Sequence, residues 1–408
     1  MIGTILVFLA VYAAIMAALL LRPYPIQNFA IYLHWLNFPF VNFKEGGERF
    51  GYRSGNVRTV YIKTSDGATL GAWHLLPRKA APAPAPGMSA VDDSDQRADA
   101  LLATAGRVYL YFHGNAGNRA TFHRNDFYKM MTSFGTDSHV LAIDYRGFGD
   151  SSSAVPTEQG LALDAIAAYE WLIARGVPPQ KIVLVGHSLG TGVATDLAFH
   201  LTNRIKSPSP QLFGGLILLS GYASICDAAL GYPMVPVLLP FRGFDALENF
   251  IKSKMIDKWD SAHKIGMIRA PILIIHGKRD FEIQPWQGRA LFLEAAGGRL
   301  GQKLVEDGGY WQLRLSTSKF SPRELDGIVV TDLGQNDGEI WSVDVPSPSA
   351  GPAASAAPTP AAHGRPMPPV WLLQVTHGGH NTLSKFQVVA DTIESWNRAC
   401  IEGDPRVA

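Results

Sequence analysis

The chain begins with an unbroken apolar run, Ile5 to Leu21, that stops at Arg22-Pro23. Its 17 residues are just enough to cross a hydrocarbon core as a helix. No basic stretch precedes it and no small-x-small cleavage site stands out before Arg22. A transmembrane anchor over residues 1–22 is therefore expected rather than a cleaved signal peptide. Residues 23–56 mix rings (Tyr24, Phe29, Tyr32, Trp35, Phe38, Phe40, Phe43) with Gln27, Asn28, His34 and Asn37. Rings beside amides suit a membrane-water boundary. The expectation is a juxtamembrane segment lying on the bilayer, with packing against the body as the alternative.

From Val57 the period changes. Val57 to Ile62 and Leu70 to Leu75 flank Asp66-Gly67 and predict a hairpin. Apolar runs follow at Val108 to Phe112, Val140 to Ile143, Ile182 to Val185, Leu216 to Leu219, Ile272 to Ile275 and Val370 to Val375. Helix-period stretches lie between several of them, notably Glu158 to Ala174 and Leu189 to Leu201. Strands that are apolar throughout and alternate with helices predict an α/β architecture, a mainly parallel sheet covered on both faces.

Two segments break this rhythm. Lys79 to Gly106 opens KAAPAPAPG and continues VDDSDQRADA, and Pro346 to Pro369 is almost wholly Pro, Ala, Ser, Gly and Thr. Neither composition buries much apolar surface, so disordered surface insertions are expected at 79–106 and 346–369. Between Leu304 and Val345 the fragments WQLRLS and EIWSVDV predict a small hairpin excursion. Residues 221–270 separate two strands and contain Tyr232 to Phe241, too apolar and too Pro-interrupted for a surface helix; a lid with an apolar inner face is expected there. The whole of 57–408 then reads as one domain.

Charge and cysteine count narrow the function classes. Lys+Arg 36 against Asp+Glu 35 leaves +1, which offers no field for a nucleic-acid partner. Cys226 and Cys400 can build neither a disulfide framework nor a four-thiolate zinc site. Arg22 is the only Lys or Arg between Ile5 and Phe43, a slight bias towards a cytosolic body.

The chemistry centres on Gly186-His187-Ser188-Leu189-Gly190, which follows a strand run directly and opens a helix. That is the G-x-S-x-G nucleophile elbow in its required context, where the glycines Gly186 and Gly190 relieve crowding around a strained serine. Serine needs a base, and the base needs an orienting carboxylate, in the chain order Ser, acid, His. Asp280 follows the strand PILIIH, and His380 follows Val370 to Val375 on a Gly-Gly turn, with His377 as the alternative base. An oxyanion would be met by the N–H of Leu189 and of Asn115, the latter in the loop HGNAGN after Val108 to Phe112. The turn DYRGFGDS, from Asp144, reads as a structural brace. This chemistry requires neither metal nor cofactor.

HGNAGN, DYRGFGDS, GHSLGTGVA, the Asp after PILIIHGKR and the closing GGHN together resemble the α/β-hydrolase superfamily. The N-terminal anchor, with HRxxFYKM-like and GHSLGTGVAT-like stretches, is similar to the membrane-tethered monoacylglycerol and lysophosphatidylserine lipase group. The resemblance implies an α/β-hydrolase fold with a lid insertion and a transmembrane helix, and a serine esterase acting on glycerolipids. Ser188, Asp280 and His380 inherit the triad. The implied partners are a lipid ester and the bilayer, with protein partners unspecified; the implied location is endoplasmic reticulum or another endomembrane, the side of the body left open. An acyl-protein thioesterase would use the same triad. A non-catalytic membrane scaffold is the alternative from another class.

Overall fold

The computed structural model describes residues 23–45, 47–79, 92–204, 213–232, 244–304, 325–334, 336–343 and 368–402, with residues 7, 10–12, 14 and 323. Ten strands form one sheet in the order β1-β2-β4-β3-β5-β6-β7-β10-β9-β8. They are β1 Val57–Lys63, β2 Thr69–Leu75, β3 Arg107–Phe112, β4 Ser138–Ile143, β5 Ile182–His187, β6 Gly215–Leu219, β7 Ile272–Gly277, β8 Val329–Asp332, β9 Gly338–Val343 and β10 Val370–Val375. β4, β3, β5, β6, β7 and β10 run parallel, while β1, β2, β8 and β9 extend the two edges antiparallel.

Helices cover both faces because the central strands are apolar on both. In β3, Val108, Leu110 and Phe112 enter one core while Tyr109 and Tyr111 enter the other. The first core is closed by α1 Pro23–Tyr32, α2 Asp92–Ala103, α4 Glu158–Ala174, α5 Leu189–Asn203, α8 Ser261–Ile265 and α9 Pro285–Leu300. The second is closed by α3 Phe122–Met131 and α10 Gln387–Asn397 through Phe127, Tyr128, Met131, Val389, Ile393 and Trp396. Two short cap helices, α6 Ile225–Gly231 and α7 Asp245–Lys254, sit between β6 and β7.

Several expectations are corrected. The disordered insertion at 79–106 contains α2; residues 80–91 lie outside the described part. Composition averaged over the whole segment hid a helix in its second half, where Ala98 and Leu102, four residues apart, are both buried. Arg58 anchors it by ion pairs to Asp95 and Asp99. The hairpin excursion is part of the central sheet: β9, built from EIWSV, pairs with β10 from Val343↔Val370 to Gly338↔Val375. Its fragment WQLRLS lies outside the described residues, as do 346–367.

The segment expected to lie on a bilayer is packed on the body, so residue 57 is not a structural boundary. Tyr32 is fully buried, and its hydroxyl donates to Asp257 Oδ2 at 2.6 Å. Asn28 Nδ2 donates to the same oxygen at 2.9 Å and to Pro156 O at 2.7 Å. Phe43 and Phe50 enter the second core. Rings remain outside all the same: Phe29 stacks on Trp35 with centroids 5.1 Å apart, each about half exposed, and Phe40 is 90 % exposed.

Among the described residues no helix is long and apolar enough to cross a membrane; the run Ile5 to Leu21 lies outside them except at five positions. Within 221–270, residues 233–243 are likewise outside. The end of that stretch is core rather than lid, since Ala262, Ile265 and Ile268 are buried against the sheet's helices.

Candidate active site

Ser188 sits between β5 and α5 with φ 52° and ψ −119°, a conformation that costs an L-residue energy and is held by its surroundings. Its N–H donates to Leu219 O at 3.0 Å, and Thr191 Oγ1 donates to its carbonyl at 2.6 Å. The flanking glycines are required by contact. A Cβ at Gly186 would meet Gly190 O at 2.3 Å, and one at Gly190 would meet Phe112 O at 2.0 Å. Both obstacles are backbone and cannot move aside.

β7 and β10 are parallel neighbours, so the loops leaving their C-terminal ends meet. They carry Asp280 and His380, and His380 Nδ1 lies 2.9 Å from Asp280 Oδ2. A carboxylate only accepts, which assigns the proton to Nδ1 and leaves Nε2 free to act as a base. The other carboxylate oxygen accepts from the N–H of Glu282 (3.1 Å) and Ile283 (2.9 Å). Burial alone would raise the Asp280 pKa, but the His380 hydrogen bond, the charges of His380 and His276 and the Ile283 N–H outweigh it and hold it at about 2. Burial alone would lower the pKa of His380; the hydrogen bond and charge of Asp280, with Glu282, raise it above the ordinary histidine value. His377 is exposed and lies away from the cavity that holds Ser188. His187 faces the other side of the elbow, its Nε2 3.0 Å from His380 O.

Ser188, Leu189, Asn115, His380 and Glu282 line one end of a cavity of about 420 Å³. The rest of its lining is mostly apolar and includes Ala30, Ile31, Leu33, Leu36, Ile225, Ile251 and Met255.

The loop after β3 is clamped from two directions that the sequence did not reveal. Arg124 of α3, almost fully buried, donates to four of its carbonyls: Asn118 (2.7 Å), Gly114 (3.1 Å), Asn115 (3.2 Å) and Ala116 (2.8 Å). From the opposite side the N–H of Ala116 donates to Tyr32 O (3.1 Å) and that of Gly117 to Leu36 O (2.6 Å). Ala116 and Gly117 take positive φ, 54° and 62°, to make both sets of contacts. With these amides occupied, the loop presents Asn115 to the cavity beside Leu189. The expected brace is present as well: Asp144 accepts from the Arg119 N–H at 2.6 Å, and the Tyr145 hydroxyl donates to His113 O at 2.8 Å. Charge at Arg124 and the backbone of α1 escape a reading of residue types because carbonyl partners leave no residue signature; the HR pair ahead of FYKM is the only available hint.

Residues 108–392 match the model of the Alpha/beta hydrolase family. The chain belongs to the alpha/beta hydrolase family. Its relatives within that family include a lysophosphatidylserine lipase, ABHD12, of Macaca fascicularis, 33 % identical over 71 % of this chain and 69 % of that one. The Danio rerio protein of the same name is 31 % identical over 71 % of each chain. Human protein ABHD12B is 31 % identical over 66 % of this chain and 69 % of its own. Among solved structures, an esterase of Pyrococcus furiosus aligns over 90 % of this chain and 98 % of that one at 13 % identity, with a TM-score of 0.49. As an alpha/beta hydrolase with such relatives, the protein is a hydrolase of the lipase and esterase type.

Proposed function

We propose that the protein is a membrane-anchored serine hydrolase that cleaves the acyl ester of a monoacylglycerol or lysophospholipid. The observation that carries this reading is the Asp280–His380 pair opening onto the same largely apolar cavity as the elbow serine. His380 Nε2 takes the Ser188 hydroxyl proton as Oγ attacks the ester carbonyl, Asp280 stabilises the imidazolium, and the Asn115 and Leu189 N–H groups receive the oxyanion. Collapse of the intermediate expels the alcohol, which leaves with the proton from His380. Water, deprotonated by the same nitrogen, then releases the fatty acid from the acyl-enzyme.

An apolar cavity is suited to an acyl chain. α6 and α7 would act as part of a lid over it, and the run Ile5 to Leu21 with the exposed Phe29–Trp35 stack would hold the mouth of the cavity near a bilayer, in the endoplasmic reticulum or another endomembrane. The relatives named lysophosphatidylserine lipases favour a lysophospholipid. Ser188→Ala should abolish both fluorophosphonate labelling and esterase activity; retention of either sinks the assignment. Rates on monoacylglycerol, lysophosphatidylserine and a palmitoyl-peptide then separate lipase from thioesterase.

A further inference from the structure

We propose that Glu282 is a subsite for a hydroxyl group on the carbon next to the scissile ester, so that the enzyme selects esters of polyols that keep a free neighbouring hydroxyl. The proposal rests on the reading of Ser188 and His380 given above, and adds to it the part of the leaving alcohol that is recognised.

Glu282 supplies the sole carboxylate in the cavity wall among the described residues. It is two residues beyond Asp280, and its backbone is pinned by the N–H donated to Asp280 Oδ1 at 3.1 Å. Its Oε1 accepts from Asn381 Nδ2 at 3.2 Å and its Oε2 from the Tyr232 hydroxyl at 3.4 Å. Both partners are neutral, and among the described residues no Lys or Arg forms an ion pair with it. A carboxylate offers about four lone-pair sites, so two neutral donors leave acceptor capacity unused. The Glu282 side chain is 27 % exposed, so in the free enzyme water can fill that capacity; a substrate that displaces the water must offer a donor of its own or leave the carboxylate unpaired.

Position decides which donor. Glu282 Oε2 lies 3.9 Å from His380 Nε2, the nitrogen that returns a proton to the leaving oxygen. The leaving oxygen must come within hydrogen-bond reach of Nε2. A hydroxyl one carbon further along the same alcohol then falls beside Oε2, whereas a methyl there would face a carboxylate it cannot satisfy. Monoacylglycerols and lysophospholipids acylated at a terminal position both carry that hydroxyl; diacyl phospholipids, with the neighbouring oxygens acylated or phosphorylated, do not. Sites that hydrogen-bond a substrate hydroxyl discriminate strongly against analogues lacking it, because the site's own group is left unpaired.

The test uses the full-length enzyme and two esters of one fatty acid, 2-hydroxyethyl and propyl, which differ by OH against CH3. The wild type is expected to favour the 2-hydroxyethyl ester in kcat/KM by about tenfold or more, the share of one hydrogen bond to a charged group. In Glu282→Ala that ratio should fall to near one, with Glu282→Gln, which keeps an acceptor oxygen, in between. The ratio is taken within one preparation, so a partly misfolded variant does not distort it. A wild type without preference overturns the proposal. So does a variant that loses equally on both esters, since Glu282 would then act only through His380. Loss of Ser188-dependent hydrolysis altogether is a failure of the function reading, and is seen separately in Ser188→Ala.

Discussion

Replacing Arg124 with Met tests whether the loop after β3 is held for catalysis or only for folding. Methionine keeps most of the apolar stem and removes the donors. The four hydrogen bonds that disappear are 2.7 to 3.2 Å long, to the carbonyls of Gly114, Asn115, Ala116 and Asn118. One guanidinium nitrogen serves three of these oxygens, so about three bonds count in full. At about 1.5 kcal/mol net for each bond to a charged group, stability should fall by roughly 4–5 kcal/mol. The kinetic loss has a ceiling set by the donor that the loop presents: removing one oxyanion donor costs about 10² to 10³ in kcat. The hydrogen bonds of Ala116 and Gly117 with Tyr32 and Leu36 remain, so partial misplacement of Asn115 should cost about 30-fold, with KM changed by less than about threefold. Arg124→Lys, whose ammonium reaches one or two of the carbonyls, should recover part of kcat. The assay is kcat per active site, titrated with a fluorophosphonate, alongside urea unfolding. If stability drops as expected while kcat per titrated site stays within twofold, Arg124 serves the fold alone and the catalytic role of the clamp is refuted.

The other predictions concern charge and the N-terminal segment. Asp280→Asn should lower kcat by about 10³ to 10⁴, through loss of the oriented tautomer, and should shift the acidic limb of kcat/KM to lower pH because the group that raises the His380 pKa is gone. The same variant should lose a pH-dependent share of stability. Asp280 ionises at about 2 in the folded protein, so its contribution is present above the ordinary carboxylate value and disappears as pH falls towards 2. His380, raised, contributes below its ordinary value, and that contribution is lost as pH climbs through its folded value. Urea midpoints of wild type and variant should therefore converge at low pH; parallel curves would contradict the assignment. Asp257→Ala leaves the Tyr32 hydroxyl without its acceptor and removes one of the two hydrogen bonds of Asn28 Nδ2, each a buried donor to a charge worth about 1.5–3 kcal/mol. Limited proteolysis should then cut between residues 23 and 45 faster than in the wild type, and activity should fall with the loss of that wall of the cavity.

How much of this is legible in the sequence depends on whether a feature is written in side chains or in backbone partners. The six parallel strands match their apolar runs to within a residue or two, because burial on both faces leaves no polar position to blur the pattern. Ser188, Asp280 and His380 stand out by strand-end context and by their order along the chain, while the pairing of β7 with β10 that brings the last two together is seen only in the structure. α2 is obscured by the alanines and prolines ahead of it. β9 pairs with β10 across a long insertion, a pairing that local pattern does not contain. The hold of Tyr32 and Leu36 on the loop after β3 passes between main-chain atoms some 80 residues apart, where residue type is silent. Glu282 is invisible for another reason: its meaning comes from standing 3.9 Å from the His380 Nε2 atom, a neighbour 98 residues further along.

The seating of the N-terminal segment also has a consequence in time. Tyr32 bonds to Asp257, 225 residues further along. At about 5–20 residues per second, a ribosome needs roughly 10–45 s to make that stretch. The N-terminal wall of the cavity is therefore made early and can take its seat only after residue 257 has been made. Pairings at such separation are the slow ones in folding. Each newly made molecule spends that interval with its rings unburied, and whatever apolar surface is nearest to the growing chain has the first opportunity to shelter them.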